Sequence, residues 1–394
     1  LATCADLQDP DKERAFFENC KRHFDNLRKT VQETFRQAGY LLDKSDAVLE
    51  PSYICEALGV QGRLDYMQQD MHAFIEMKSG KGDEFTVRNS VVPNENNLVQ
   101  MLLYQAVLEY SMGVNHHNVT PYLLYTRYPL LYPARANWTM LRRIINLRNR
   151  IVADEYSIQF RNNIHYTKDK IGSITPVLLN ERNLHGKFWD AYLLPPIERT
   201  AKALANLSET ERAYFFSLYN FIVKEQYTAK SGDADYEGRA GAAALWLATL
   251  EEKRESGEIL YNLRIIENHA TDAHKAYLIL KQDEATALAE ELETLPNFRE
   301  GDAIVLYQRN EQTDNVTNKM VFKGNIEALT EDTIRIRLRA TQHNPKVLPA
   351  DSLYAVEHDA MDSTFRSMYL GLSAFLFANQ ERRDLLLGKQ EPRF

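Results

Sequence analysis

The chain has 394 residues, of which 44% are hydrophobic and 26% are charged, and its formal net charge is -8. This length predicts two or three domains, and the composition is typical of a globular protein with a sizeable core, which excludes a disordered or collagen-like chain. The negative charge argues against a protein that grips nucleic acid through a uniformly positive surface, although it leaves room for local basic surfaces. No apolar run approaches the roughly 20 residues of a membrane-spanning helix.

The amino terminus and the cysteines indicate the setting in which the chain works. It begins with Leu1 rather than Met, and residues 1–11 lack the basic start and apolar run of a signal peptide, so we expect a processed product or a piece of a longer protein. Cys4, Cys20 and Cys55 are odd in number and scattered, which favours a reducing compartment over a disulfide scaffold. The sequence therefore predicts a cytoplasmic protein with no membrane association.

The first third of the chain predicts a helix, two strands, a second helix and a third strand in turn. Residues 9–38 carry apolar side chains at three- and four-residue steps, the period of a helix. Two short β-type runs within residues 60–78 flank the polar residues 68–70 and predict a β-hairpin. A helical stripe over residues 97–110 and an apolar strand candidate at residues 122–125 follow. Together these elements predict an α/β core.

The middle of the chain predicts mainly helices, and its end predicts a small β-domain followed by helix. Residues 139–152 form an amphipathic pattern that presents basic groups, including Arg142, Arg143 and Arg150, along one side. Further helical patterns cover residues 197–207, 209–226 and 240–255. Strand patterns then cover residues 303–308, 320–328 and 333–339. A helical pattern returns from residue 351 onward.

The last of these strand patterns alternates apolar and basic side chains. Arg335, Arg337 and Arg339 are interleaved with Ile and Leu, and strand geometry sends successive side chains to opposite faces. We therefore expect one face of this strand to pack in a core and the other to carry a ladder of arginines.

Ionisable residues interrupt the apolar hairpin, and they carry the chemistry that the sequence indicates. Glu76 and Lys78 project from the same face of one strand, and Asp65 approaches from the neighbouring strand. Two carboxylates on a half-buried sheet repel each other unless a cation neutralises them. Oxygen ligands from Asp65 and Glu76, together with the Met77 carbonyl, suit Mg²⁺ or Mn²⁺, which also bind phosphate. The pattern predicts a metal-dependent site for phosphodiesters, with Lys78 orienting the attacking water or stabilising developing charge.

The residues that flank this cluster weigh against its plainer interpretation, an ordinary surface strand with a cross-strand salt bridge. The chain runs Gly62-Arg63-Leu64-Asp65, then Glu76-Met77-Lys78-Ser79-Gly80-Lys81, then Gln100-Met101-Leu102-Leu103-Tyr104, on strand, strand and helix. This succession resembles the PD-(D/E)XK nuclease superfamily, and its RecB-like branch in particular.

The resemblance implies roles for individual residues. Asp65, Glu76 and Lys78 would be catalytic, and the two carboxylates and the Met77 carbonyl would hold the metal. Residues expected to support the metal site or to contact DNA are Gln100, Tyr104, Ser79, Lys81, Arg142, Arg143 and Arg150.

The resemblance also implies an architecture for the whole chain, similar to that of nuclease-helicases that trim replication flaps. It implies a RecB-like nuclease domain with large helical additions at residues 1–295, a small β-barrel at 296–345 and a helical stalk at 346–394. In such proteins these parts precede a superfamily one helicase core. No Gly-X-X-X-X-Gly-Lys-Ser/Thr pattern occurs, so we expect no ATP site in this chain and a helicase core beyond Phe394.

The chain departs from the family pattern in two respects. Many relatives hold an iron-sulfur cluster with one cysteine before the nuclease motifs and three after them, whereas all three cysteines of this chain precede Asp65, so we expect no such cluster. Relatives also often supply a metal-contacting His or Glu from an early helix. His23, Gln32 and Glu33 are candidates for that position, and the sequence does not decide among them.

The sequence thus predicts a metal-dependent DNA nuclease that cuts single-stranded or flapped DNA, as the N-terminal part of a nuclease-helicase in DNA replication or repair. The expected cofactor is Mg²⁺ or Mn²⁺. The expected partners are DNA, helicase domains of the same polypeptide and a single-stranded DNA-binding protein, and the expected state is a monomer. Two alternatives stay open, a catalytically silent module that guides single-stranded nucleic acid into a helicase and an adaptor that contacts proteins. The intact Asp65, Glu76 and Lys78 argue against a silent module, because a scaffold has no physical need for that cluster.

Overall fold

The computed structural model describes residues 9–37, 39–40, 42–80, 83–85, 90–129, 131–133, 137–161, 163–232, 241, 246–283, 296–360 and 363–392. The chain divides into two compact units, and each unit is built from two stretches of sequence. The first unit contains residues 1–145 and 246–359, and the second contains residues 146–245 and 360–394. Among the helices described, none combines the length and the apolar content that crossing a membrane requires.

Both units contain helices. In chain order they are α1 (Pro10–Gln32), α2 (Glu95–Met112), α3 (Trp138–Arg161), α4 (Ile164–Gly172), α5 (Pro176–Leu179), α6 (Leu194–Ala205), α7 (Glu209–Ser231), α8 (Leu250–Glu255), α9 (Ser363–Phe377) and α10 (Gln380–Leu386). A π-helical turn, Trp189–Leu193, leads directly into α6. The helix expected over residues 240–255 is shorter within the described residues, because Thr249 caps its amino end and only Leu250–Glu255 is helical.

A five-stranded sheet forms the first part of the first unit, in the strand order β1-β4-β5-β8-β9. The strands up to this point in the chain are β1 (Ala47–Leu49), β2 (Ser52–Cys55), β3 (Val60–Arg63), β4 (Tyr66–Gln68), β5 (Ala73–Lys78), β6 (Asp83–Phe85), β7 (Ser90–Val92), β8 (Thr120–Tyr125) and β9 (Leu131–Pro133). β4 and β5 form the predicted antiparallel hairpin, whereas β5 and β8 are parallel and α2 lies between them in the chain. The α/β class is confirmed.

Both faces of this sheet are covered, which explains the apolar character of its central strands. Successive side chains of a strand alternate between faces. Phe74 belongs to a core cluster that includes Met101 and Tyr104 of α2, while Ile75 belongs to a second cluster with Phe35, just beyond α1. Glu76 and Lys78 therefore share the face of β5 that α2 covers.

A closed six-stranded β-barrel forms the rest of the first unit. Its strands are β10 (Ile259–His269), β11 (Tyr277–Gln282), β12 (Ala303–Gln308), β13 (Val321–Leu329), β14 (Thr333–Leu338) and β15 (Tyr354–His358). They follow the order β12-β15-β10-β11-β14-β13, and antiparallel pairing of β12 with β13 closes the barrel. The barrel extends beyond the expected range 296–345 at both ends, because β10, β11 and β15 also belong to it.

The barrel and the five-stranded sheet are joined through β2 and β3. β13 pairs with β2 at Val321 and Ser52, and β2 pairs with β3, so the barrel sheet continues into the strand that ends at Arg63. Val48 of β1 is fully buried in the barrel core. This junction places the end of a barrel-linked strand two residues before Asp65.

The second unit is helical, and its core combines the middle and the end of the chain. Phe215 and Phe216 of α7 share one buried cluster with Leu372 and Phe375 of α9. Glu211 of α7 is 1% exposed and accepts hydrogen bonds or ion pairs from Gln380 and Arg383 of α10. The tail expected as a separate stalk at 346–394 thus contributes β15 to the barrel and two helices to this unit.

Candidate active site

The β4–β5 hairpin brings the two predicted carboxylates together. Its register pairs Tyr66 with Ile75, which places Asp65 across from Glu76. Asp65 is half-buried at the bend before β4, and its Oδ2 accepts a hydrogen bond of 2.7 Å from the Met77 backbone N–H. The predicted convergence of Asp65 on the strand of Glu76 is therefore present.

Glu76 is the most deeply buried member of the cluster, with 3% of its surface exposed. Lys78 Nζ lies 2.5 Å from Glu76 Oε1, while Glu76 Oε2 has no hydrogen-bond partner among the described residues. Burial raises the pKa of Glu76, the nearby Asp65 carboxylate raises it further, and Lys78 opposes the shift. A buried carboxylate oxygen without a partner is costly, so a cation bound there would offset the cost.

Lys78 is held from the other side by α2. Its Nζ donates to Gln100 Oε1 at 2.9 Å, and Gln100 Nε2 donates to the Tyr104 hydroxyl at 2.8 Å. Gln100 and Tyr104 can act together because residues four apart lie on one face of a helix. The Tyr104 hydroxyl in turn donates to the Arg63 carbonyl at 2.7 Å. This relay fixes which end of the Gln100 amide faces the lysine.

The relay requires a glycine on the neighbouring strand. A Cβ at Gly62 would lie 2.5 Å from Tyr104 Cε1 and 3.0 Å from Tyr104 Cδ1. The Tyr104 ring is 8% exposed and meets Phe74 edge-on, so it occupies the space that any larger residue 62 would need. Burial also raises the pKa of Tyr104. The motif flagged Gly62, but its contact with Tyr104 requires the folded chain.

The donor set tests whether a divalent cation fits this site. Asp65 and Glu76 supply carboxylate oxygens, which hard cations prefer. Among the described residues no group of three or more His, Cys, Asp or Glu side chains is arranged to hold a metal. The residues thus fit a cation bound by two carboxylates and water, which is how Mg²⁺ is usually held. The Met77 N–H is the backbone atom tied to Asp65, and the Met77 carbonyl stays a predicted ligand.

Of the three candidates for a ligand from the first helix, Gln32 is the exposed last residue of α1, and His23 and Glu33 lie in different surroundings. His23 Nδ1 is 2.7 Å from the Thr126 hydroxyl, and the Thr126 N–H donates to the Lys78 carbonyl at 2.9 Å. Glu33 is exposed just past the end of α1, where its carboxylate lies 4.0 Å from Lys29 Nζ. His23 is thus the candidate linked to the strand of Glu76, through a threonine that sequence reasoning missed.

Among the remaining residues predicted to contact DNA, Ser79, Arg142 and Arg143 are described in the first unit, and all three are exposed. Ser79 is exposed just after β5, and Lys81 lies outside the described residues. Arg142 and Arg143 are exposed on the part of α3 in the first unit. Arg150 belongs to the second unit, where it pairs with Glu181 at 3.0 Å.

The expected ladder of arginines is present on β14, but carboxylates of the barrel neutralise it. Arg335 Nε lies 3.0 Å from Glu327, which also pairs with Arg337. Arg339 lies 3.3 Å from the buried Asp359. The alternation itself is confirmed, since Ile334, Ile336 and Leu338 are buried. These ion pairs favour a stabilising role for the arginines on the barrel surface.

Comparison with known proteins identified no relative of this chain among the family models and the curated proteins. The interpretation of the site therefore depends on the residues of the hairpin and of α2 and on their geometry.

Proposed function

We propose that this protein is a metal-dependent nuclease that hydrolyses phosphodiester bonds in single-stranded or flapped DNA. The observation that carries the proposal is the pair of carboxylates, Asp65 and Glu76, with Glu76 Oε2 buried and without a partner among the described residues. The order of the motif residues along the chain, which resembles the RecB-like PD-(D/E)XK nucleases, supports DNA as the substrate.

Asp65 and Glu76 would hold Mg²⁺ or Mn²⁺. When bound, such an ion activates water and neutralises charge on the phosphate. Lys78 contributes an ammonium with three donors, two of which already point to Glu76 and Gln100. Its place beside the carboxylates suits it to orient water or to stabilise negative charge that develops on the phosphate. Gln100 and Tyr104 keep the ammonium in that place.

The wider setting belongs to the same proposal. The chain would work as the N-terminal part of a nuclease-helicase in DNA replication or repair, with helicase domains in the same polypeptide and a single-stranded DNA-binding protein as partners. It would act as a monomer in the cytoplasm. The exposed Arg142 and Arg143 are available for contacts with the DNA backbone.

The test is cleavage of end-labelled single-stranded, flapped and duplex DNA in Mg²⁺, Mn²⁺ or EDTA. We expect metal-dependent cutting of single strands or flaps that is lost in Asp65→Asn. Asp70→Asn is the matched control, because Asp70 is an exposed carboxylate at the turn of the same hairpin. Cutting that persists in Asp65→Asn or in EDTA would refute the proposal.

One observation favours a second candidate, a silent module that guides single-stranded nucleic acid. Lys78 already neutralises Glu76 by an ion pair, so the cluster has a cation without any metal. This candidate predicts that DNA binds with a strong dependence on salt and is not cut with any metal ion. The same gels, together with a binding titration, separate the two candidates.

A further inference from the structure

A glutamine in a loop of the barrel forms hydrogen bonds with the backbone of the five-stranded sheet, close to the candidate active site. Gln342 is 2% exposed, and its side-chain amide meets both polar groups of Leu49. The Leu49 N–H donates to Gln342 Oε1 at 3.0 Å, and Gln342 Nε2 donates to the Leu49 carbonyl at 2.8 Å. The Gln342 backbone is itself anchored, since its N–H donates to the Ala270 carbonyl at 2.8 Å. The side chain thus takes the place of a neighbouring strand.

Leu49, the residue that Gln342 binds, lies beside the backbone of the segment that carries Asp65. Leu49 pairs with Tyr66 across β1 and β4. The Glu50 N–H donates to the Asp65 carbonyl at 3.2 Å, and the Leu64 N–H donates to the Pro51 carbonyl at 3.0 Å. Residues 49–51 therefore form one layer between Gln342 and the segment that carries Asp65.

The layer contains a residue in an unfavourable backbone conformation. Glu50 has a φ of 50°, in the left-handed region that non-glycine residues rarely adopt, where the chain leaves β1 for β2. Such a conformation persists only where its surroundings hold it. The two hydrogen bonds between Leu49 and Gln342 and the ion pair of 2.9 Å between Glu50 and Arg63 provide that support.

We propose that Gln342 is a positioning residue for Asp65, so that the β-barrel sets the geometry of the candidate metal site through residues 49–51. The inference rests on the proposed function for its metal, but the contact that it describes is independent of any activity. By this proposal the barrel contributes to metal binding, although Gln342 itself contacts neither Asp65 nor Glu76.

The chain offers a matched control in the same barrel loop. Asn344 is also 2% exposed, and its Nδ2 donates to Gln69 Oε1 at 2.9 Å. Gln69 follows the far end of β4, beyond Gln68, whereas Leu49 lies opposite the end next to Asp65. Gln342→Met and Asn344→Leu remove side-chain hydrogen bonds at nearly constant volume, and only the first touches the layer beside Asp65.

Two measurements on the full chain test the proposal. The first is amide hydrogen exchange of residues 48–52 and 62–66, which we expect to become at least several-fold faster in Gln342→Met and to stay unchanged in Asn344→Leu. The second is Mn²⁺ binding followed by electron paramagnetic resonance without DNA, where we expect the dissociation constant to rise about tenfold in Gln342→Met alone. Gln342→Asn keeps an uncharged amide donor and acceptor on a shorter side chain, so it provides a milder variant if Gln342→Met does not fold.

The outcomes separate this proposal from the proposed function. Unchanged exchange in Gln342→Met, or equal changes in Asn344→Leu, would overturn the positioning role whether or not the protein cuts DNA. Unchanged Mn²⁺ affinity in Gln342→Met would overturn its link to the metal. If the wild-type protein binds no Mn²⁺, the proposed function fails, and faster exchange confined to Gln342→Met would still support the structural part of the inference.

Discussion

Replacing Gly62 by alanine adds one methyl group next to Tyr104. The substitution tests the hydrogen bonds by which Tyr104 and Gln100 hold Lys78. The new Cβ would lie 2.5 Å from Tyr104 Cε1, whereas ordinary contacts begin at 3.4 Å, so the ring must shift by about 1 Å. The ring cannot shift freely, because it is 8% exposed and packs against Phe74. Its hydroxyl would then lose the geometry of its bonds to the Arg63 carbonyl and to Gln100.

The cost has two parts. Overpacking of a filled core costs about 1–3 kcal/mol, and each weakened hydrogen bond adds about 1 kcal/mol. With two such bonds, we expect Gly62→Ala to destabilise the first unit by roughly 3–5 kcal/mol. Since Gln100 would no longer be fixed by Tyr104, Lys78 would lose its orientation, and we expect cleavage to fall by roughly 10- to 100-fold.

The assay compares urea unfolding and single-turnover cleavage for Gly62→Ala and Gly80→Ala. Gly80 lies in the same motif, but an added Cβ there meets nothing within 4 Å. We expect the Gly80 variant to match the wild type in both measurements. Wild-type stability and cleavage in Gly62→Ala would refute the argument that Tyr104 fills the space above residue 62 and steers Lys78.

Three further predictions concern single ionisable groups. Lys78→Ala should abolish cleavage and leave the affinity for DNA within a few-fold, as gels and a binding titration would show; full cleavage would contradict the role of the ammonium. The pKa of Glu76 is higher in the folded protein than its usual 4.5. Its ionisation therefore destabilises the fold as the pH rises from the unfolded-state pKa through the folded-state pKa. Glu76→Gln should therefore raise the melting temperature at pH 7, and added Mn²⁺ should stabilise only the wild type; an equal response of both proteins to Mn²⁺ would argue against Glu76 as a ligand. Although burial opposes ionisation of Glu211, its bonds to Ser208, Gln380 and Arg383 lower its pKa from 4.5 to about 2. The second unit should then lose roughly 3 kcal/mol of stability as the pH falls from about 4.5 to about 2, a loss that urea titrations would show and that Glu211→Gln should remove; equal pH dependence in both would refute it.

Part of the fold could be predicted because its local patterns are regular. The strand period and the helix period identified β5, α2 and β12, and the bounds of β12 coincide with the expected residues 303–308. β10 was missed although Ile259, Tyr261, Leu263 and Ile265 are buried at alternate positions, with Leu263 and Ile265 in the barrel core beyond a register shift that follows Leu260. Its signal lay in a region interpreted as mainly helical. β2 offered no such signal, because all four of its residues are buried and no alternation is visible.

In the candidate site too, contacts within one strand or helix could be predicted, whereas contacts between distant parts of the chain could not. Alternation along β5 places Glu76 and Lys78 on one face, and a helical turn places Gln100 beside Tyr104, so short-range periodicity was sufficient for these residues. The contact between Gln342 and Leu49 joins residues 293 positions apart, and no local pattern announces it. The same is true of His23 and Thr126, which lie 103 positions apart.

The join between the five-stranded sheet and the barrel also has a consequence for synthesis of the protein. Chains grow at about 5–20 residues per second, so roughly 15–60 s separate the emergence of Leu49 from that of Gln342. During that interval β2, which is buried along its whole length in the finished fold, has no β13 to pair with. A nascent chain can pair β2 with β3, but it exposes the edge of β2 that β13 later covers, and such an edge is open to incorrect pairing until the barrel strands are made. A shortened chain that ends before β13 would keep Asp65, Glu76 and Lys78 and would remain in that unfinished state.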